Sequence, residues 1–175
     1  VETVGYITRQ TTILEFSPTV ISLILAGKIG SNIASEVGTM RVTEQIDALE
    51  IMGVNSLGYL VLPKIIAGVV TFPFIIIISM ALSIAGGLFA GVQSGLCSQE
   101  DYVKGLRYWF NADDINYALI KTVVFAFIIT SVASFYGYYT KGGALDVGKS
   151  STQAVVYSSI AILLANFVLT QLLLL

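Results

Sequence analysis

Residues Gly143 to Ser150 read GALDVGKS and satisfy G-x-x-x-x-G-K-[ST], the loop that cradles nucleotide phosphates with backbone amides and a lysine. That chemistry needs a buried strand leading into the loop, a helix leaving it and an acidic strand end to hold magnesium. Here the loop follows FYGYYTKG, the end of an apolar run, and no apolar strand ends in aspartate. The match therefore reads as a glycine-rich turn whose Gly148 frees the chain before a serine cap, and the chain is not expected to hydrolyse nucleotide by itself. Histidine is absent and Cys97 is the one cysteine, which removes the usual zinc sites, Ser-His and Cys-His pairs and any intrachain disulfide. Carboxylates and lysines must carry the chemistry. Glu15, Lys121 and Asn166 stand inside apolar runs, where polar groups are costly unless paired or facing a wet cavity, and this marks them as candidate site residues.

The elements that hold them are apolar helices. Of 175 residues 55% are apolar and 11% charged, and the charges are confined to a few places. About 25% is usual in a soluble domain, and long uncharged runs are what a lipid-exposed helix requires. No basic stripe is present, so no nucleic-acid partner is expected. The chain begins at Val1 with no initiator methionine, basic n-region or cleavage site, which reads as a chain without a signal peptide and as a fragment lacking upstream sequence.

Apolar segments run over about 11–27, 59–92, 115–139 and 153–175. The first carries Pro18, expected to kink it; the second is too long for one crossing and is expected to break at Pro73, leaving an interfacial piece from Pro63. Ser79, Ser83, Gly87, Gly91 and Gly95 recur every four residues, a small-residue stripe read as packing against a helix of the same chain. Ser150 and Gln153 have the spacing of a capping box opening the last helix. Lys28, Arg41, Lys64, Lys141 and Lys149 fall on one side, against Arg9, Lys104 and Arg107 on the other, which places the first set in the cytoplasm. A single transmembrane domain over 1–175 follows, with a cytoplasmic coupling region at about 28–58, an outer loop at about 93–114 and a cytoplasmic loop at about 140–152. In this frame Glu15, Lys121 and Asn166 lie about 18, 25 and 20 Å above the inner ends of their helices, and Glu15 and Lys121 are expected to face a common polar cavity opening outward. Snorkelling to the outer interface is the alternative for Lys121.

Residues 40–52 have helical spacing, with Val42, Ile46 and Leu49 on one face and Gly53 placed to end the helix. Met40, Glu44, Asp47 and Ile51 fall within about 60° of one another on the opposite face, a mixed surface suited to docking another protein. Arg41 belongs to the same coupling region.

The run AGKIGSNIASEVGTMRVTEQIDALEIMGVNSLGYLVLPKIIAGV closely resembles the signature of MlaE-type permeases, membrane subunits of ABC systems that move phospholipid between the inner and outer membranes of Gram-negative bacteria. ALIKTVVFAFIIT, GYYTKGGALDVGKSSTQAVVYSS and NFVLTQLLLL resemble that family's later spans. The resemblance implies an all-α polytopic permease of the inner membrane, with about four spans here and the family's first span missing. It further implies a homodimer, two cytoplasmic ATPase subunits docked around residues 40–52, and a periplasmic MCE-domain ring above the outer mouth. This chain would bind no cofactor; ATP and magnesium would act through the ATPase. Glu15 in LEFSP matches the family's acidic position and Lys121 its LIK lysine, whereas Leu14 stands where many members carry arginine and Asn166 where aspartate is expected. An ion-coupled carrier and a nontransporting anchor for the periplasmic ring are the competing readings.

Overall fold

The computed structural model describes residues 3–175, and its regular structure is helical. Four helices are long and apolar enough to cross a membrane: α1 (Thr3–Val42), α3 (Leu57–Gln93), α5 (Ala112–Tyr138) and α6 (Ala144–Leu174). Two short ones occupy connections, α2 (Gln45–Ile51) between α1 and α3, and α4 (Gln99–Arg107) between α3 and α5. The connection from α5 to α6 lies at the α2 end.

Helix α5 lies at the centre and touches α1, α3 and α6. Apolar layers are stacked along it. Near α4, Ala118 packs with Ile13, Ile76 and Met80; in the middle, Phe125, Ala126 and Ile129 meet Ala26, Phe72 and Ile162; near α2, Ala133 and Tyr138 meet Ile33, Ala34, Val37, Ile46 and Ala154. Each isoleucine, valine, phenylalanine or methionine among them contributes about 1.5–3 kcal/mol when moved out of water, each alanine less. Within lipid, where the surroundings are equally apolar, close fit does the work instead.

Several sequence expectations are corrected. Helix α1 runs on past residue 27 to Val42, so the coupling region begins as the extension of a span. Pro18 does not break it, because Thr12–Val20 is wound as a π-helix, whose wider turn accommodates a ring that crowds the carbonyl four residues back. A second wide turn covers Ala26–Gly30. Nor does Pro73 divide α3. A proline deletes one backbone bond, and Phe72 and Ile76 on either side are anchored in the core, so the helix continues. At 37 residues α3 rises about 55 Å against a hydrocarbon core of about 30 Å, and therefore tilts or protrudes.

The helix expected over 40–52 is two helices. Glu44 adopts φ 63°, the left-handed region, and parts α1 from α2. Gly53, at φ 79°, does end α2. Met40 therefore packs inward beside Ile46, Glu44 occupies the joint, and Asp47 and Ile51 belong to another helix, so the four do not form one face. Helix α6 begins at Ala144, not at Ser150: Asp146 accepts from the Gly143 amide at 3.0 Å, and Gly142, with φ 113°, makes the turn assigned to Gly148. Gly148, Lys149 and Ser150 are helical, and Ser150 is bonded to the Thr140 hydroxyl at 2.9 Å.

Ser79, Gly87 and Gly91 of the small-residue stripe pack within the chain, whereas Gly95 lies beyond the helix end with open space where a side chain would start. Ser79 meets Ser17 at 3.4 Å, Gly91 lies against Cys97, and a Cβ at Gly87 would come within 2.6 Å of the Tyr102 hydroxyl. Tyr102, on α4, is fully buried and donates to the Ile84 carbonyl at 2.9 Å; burial pushes its phenol above the usual range. Arg9 is also buried, donating to the carbonyls of Leu106 (2.5 Å) and Tyr108 (3.0 Å) at the end of α4. It thus caps a helix, and counts less as a free loop cation in the charge asymmetry.

Candidate functional site: a polar cluster between three spans

The three intramembrane polar residues meet. Glu15 lies in the π-helical part of α1, Lys121 one-third of the way along α5, and Asn166 in the second half of α6. Lys121 donates to Glu15 Oε1 at 2.9 Å and to the Leu14 carbonyl at 3.0 Å, and its ammonium lies 5.1 Å from the centre of the Tyr117 ring. All three of its N–H donors thus have electron-rich surroundings. Asn166 Nδ2 donates to the other oxygen, Oε2, at 3.2 Å.

Residues unmarked in the sequence complete the cluster. The Thr19 hydroxyl lies 3.4 Å from Glu15 Oε2 and 3.3 Å from Asn166 Oδ1, and its single proton serves one of them at a time. The Thr170 hydroxyl lies 3.0 Å from Tyr117 Oη and 3.5 Å from Glu15 Oε1. Glu15 and Thr19 are one turn apart on α1, and Asn166 and Thr170 one turn apart on α6, so two i,i+4 pairs face each other. Threonines in apolar helices commonly bond their own backbone, which is why nothing in the sequence singled these two out.

Burial divides the roles. The Lys121 side chain is 0% exposed, that of Glu15 44%. Lys121 neither snorkels nor lines an opening; it holds the carboxylate from behind. The open face consists of Glu15, Asn166 and the Thr170 hydroxyl, with Thr19 and Tyr117 buried behind them, and is fitted to hydrogen-bond a polar group arriving from outside this chain. An apolar groove of about 410 Å³, lined in part by Ile13, Ile77, Met80, Ile84 and Phe110, includes none of these residues.

The predicted coupling residues gather at the other end of α5. Arg41 donates from Nε to the Tyr138 carbonyl at 2.7 Å, pairs with Asp47 at 3.1 Å, and lies 4.4 Å over the Tyr138 ring. Ile51 is 87% exposed, with exposed Met52 next to it in sequence, and Glu44, Asp47 and Glu50 are exposed along the same short segment. Glu50, Ser56 and Tyr138, which the sequence did not mark, form a second set of contacts beneath α2.

Helices of crossing length around a charged cluster define a polytopic membrane protein. A family model described as Permease MlaE matches residues 1–172, and the chain belongs to that family. It is 40% identical over 158 residues to a probable ABC transporter permease protein of Rickettsia bellii, covering 90% of this chain and 61% of that protein. It is 35% identical over 170 residues to a probable ABC transporter permease protein of Synechocystis, covering 97% and 65%. Against the Arabidopsis protein TRIGALACTOSYLDIACYLGLYCEROL 1, chloroplastic, it is 36% identical over 162 residues, covering 90% and 45%. The chain thus spans about three fifths of the length of the bacterial relatives, 61% for Rickettsia bellii.

Proposed function

We propose that the chain is the permease subunit of an ABC transporter that moves phospholipid between the inner and outer membranes of a Gram-negative bacterium. It would act as a homodimer in the inner membrane, with cytoplasmic ATPase subunits at the α2 end, supplying ATP and magnesium chemistry, and a periplasmic MCE-domain protein at the α4 end. The observation that carries this reading is the half-exposed Glu15 carboxylate, held by a buried Lys121 among three spans. A carboxylate open on the surface of a single chain at that depth is costly in hydrocarbon and tolerable in a wet cavity. A second copy covering that face would supply such a cavity, and its acceptors would meet the headgroup while the tails lie along the apolar walls. The name of the Arabidopsis relative supports lipid as cargo, and membership of the family supports an ATPase partner. Glu44, Asp47 and the exposed Ile51 and Met52 then form the tip that the ATPase grips, and Arg41 braces it from inside.

The test is reconstitution of the full chain with a copurifying nucleotide-binding subunit in vesicles, followed by transfer of labelled phospholipid to an acceptor. Glu15→Gln, which keeps a hydrogen bond to Lys121 and removes the charge, is expected to slow transfer at least tenfold. Transfer at the original rate would remove the cluster from the lipid path, and transfer driven by an ion gradient without ATP would make the chain a secondary carrier.

A further inference from the structure

The α2 segment and the Glu15 cluster lie at opposite ends of α5, with Lys121 standing 17 residues before Tyr138. That separation is about 25 Å along a helix. What joins α5 to α2 is concentrated in Tyr138, its last residue. The Tyr138 carbonyl, one of the orphan acceptors at a helix end, receives Arg41 Nε at 2.7 Å, and Arg41 in turn holds Asp47 in the first turn of α2. The Tyr138 phenol lies 3.3 Å from Glu50 Oε1 in the last turn of α2 and 2.8 Å from the Ser56 hydroxyl, which itself donates to Glu50 at 2.8 Å. Both ends of α2 are therefore tied to one residue of α5. Ser56 and Tyr138 are buried, 1% and 7% exposed, so water does not readily replace the bond between them, while the Glu50 carboxylate reaches it from the exposed face of α2.

We infer that Tyr138 is a positioning residue that carries displacement of α2 into α5, and through α5 to Lys121 and the carboxylate it holds. The inference rests on the reading of α2 as the ATPase contact. The link is physical at each step. The phenol is part of α5 and lies closest to Ser56, at 2.8 Å, Ser56 donates to the Glu50 carboxylate of α2 at 2.8 Å, and α5 is packed along its length by α1, α3 and α6. The Glu44 joint, the one strained non-glycine between α1 and α2, lets α2 swing without unwinding α1. Lys121 would then draw on or release Glu15, changing how far the carboxylate reaches into the opening. Differential contact of the phenol with α2 in the two states is the coupling free energy, for which a factor of about 5–150 is usual.

Tyr138→Phe removes the hydroxyl and leaves the ring under Arg41 and the backbone carbonyl in place. In the reconstituted complex, in vesicles of phosphatidylethanolamine and phosphatidylglycerol, lipid moved per ATP hydrolysed is expected to fall about tenfold, while subunit retention, basal hydrolysis and unfolding temperature are kept. Ser56→Ala, which removes one of the phenol's two partners, is expected to lower the same ratio about threefold, and decides the matter if Tyr138→Phe fails to assemble. A ratio unchanged in the assembling variants overturns the inference, as does a loss of hydrolysis and subunit retention in step with transport, which would make the network merely structural. Failure of the unmutated chain to retain any ATPase subunit would overturn the functional reading instead, and is seen before any variant is made.

Discussion

Two charged residues stitch α1 to α5, and they work in opposite surroundings. Lys121 reaches from α5 to a carboxylate and a carbonyl of α1 and is 0% exposed; Arg41 reaches from α1 to the terminal carbonyl of α5, with its side chain 24% exposed and its partner Asp47 58% exposed. Lys121 has no route to water, so its ion pair is needed to offset its own desolvation. Arg41 retains a hydrated alternative, and its pairing contributes orientation more than energy. The charge inside the membrane is therefore expected to behave as a single unit with its partner, and the charges at the α2 end as loosely additive contributions.

The largest effect expected is from Glu15→Leu, which strands the Lys121 ammonium with the Leu14 carbonyl as its remaining oxygen partner. A loss of about 3–5 kcal/mol is expected, seen as a lower unfolding temperature in detergent and poor recovery. The double variant Glu15→Leu with Lys121→Leu should recover most of that loss. A single variant as stable as the parent would mean that the pair is already wet, and the contrast with Arg41 would vanish. Next comes Arg41→Ala, which deletes the cap on α5, the ring contact and the Asp47 pair, for a cost of about 1–2 kcal/mol by the same unfolding measurement. Glu44→Gly is expected to stabilise by about 1 kcal/mol, because glycine adopts the left-handed joint without strain. No gain, or a loss, would show that the Glu44 side chain offsets its own backbone cost. Smallest is Asp47→Asn, worth less than about 1 kcal/mol and shrinking as salt is raised, which a titration with sodium chloride checks.

The same contrast explains what could be read ahead of the structure. Hydropathy carries the membrane class, and against that background Glu15, Lys121 and Asn166 stand out by type alone; helix length then places them at similar depth. Their convergence follows once the spans are packed. Thr19, Thr170 and Tyr117 were invisible because hydroxyls in apolar helices are ordinary, and facing i,i+4 pairs on different helices leave no periodic trace. At the α2 end the error was of another kind. Residues 40–52 have sound helical spacing, but a glutamate in the left-handed region carries no sequence mark of the sort glycine leaves at Gly53. Pro73 misled in the reverse direction: a breaker in water is tolerated where the flanking side chains, Phe72 and Ile76, are buried against neighbouring helices. The match to a phosphate loop failed for the plainest reason, since Gly148 to Ser150 are already inside α6.

The wide turn over Thr12–Val20 has a consequence for inheritance. Such a turn holds about one residue more than an α-helix needs, so it takes up a surplus residue between the two halves of α1. Losing a single codon there would let the segment relax into ordinary winding with the two halves of α1 still in phase, Arg9 still facing the α4 carbonyls, whereas the same loss in an α-helical part of α1 would turn one half about 100° against the other. A one-residue change of length should therefore be absorbed here more readily than elsewhere in α1, provided that Glu15 and Thr19 keep their places in the polar cluster.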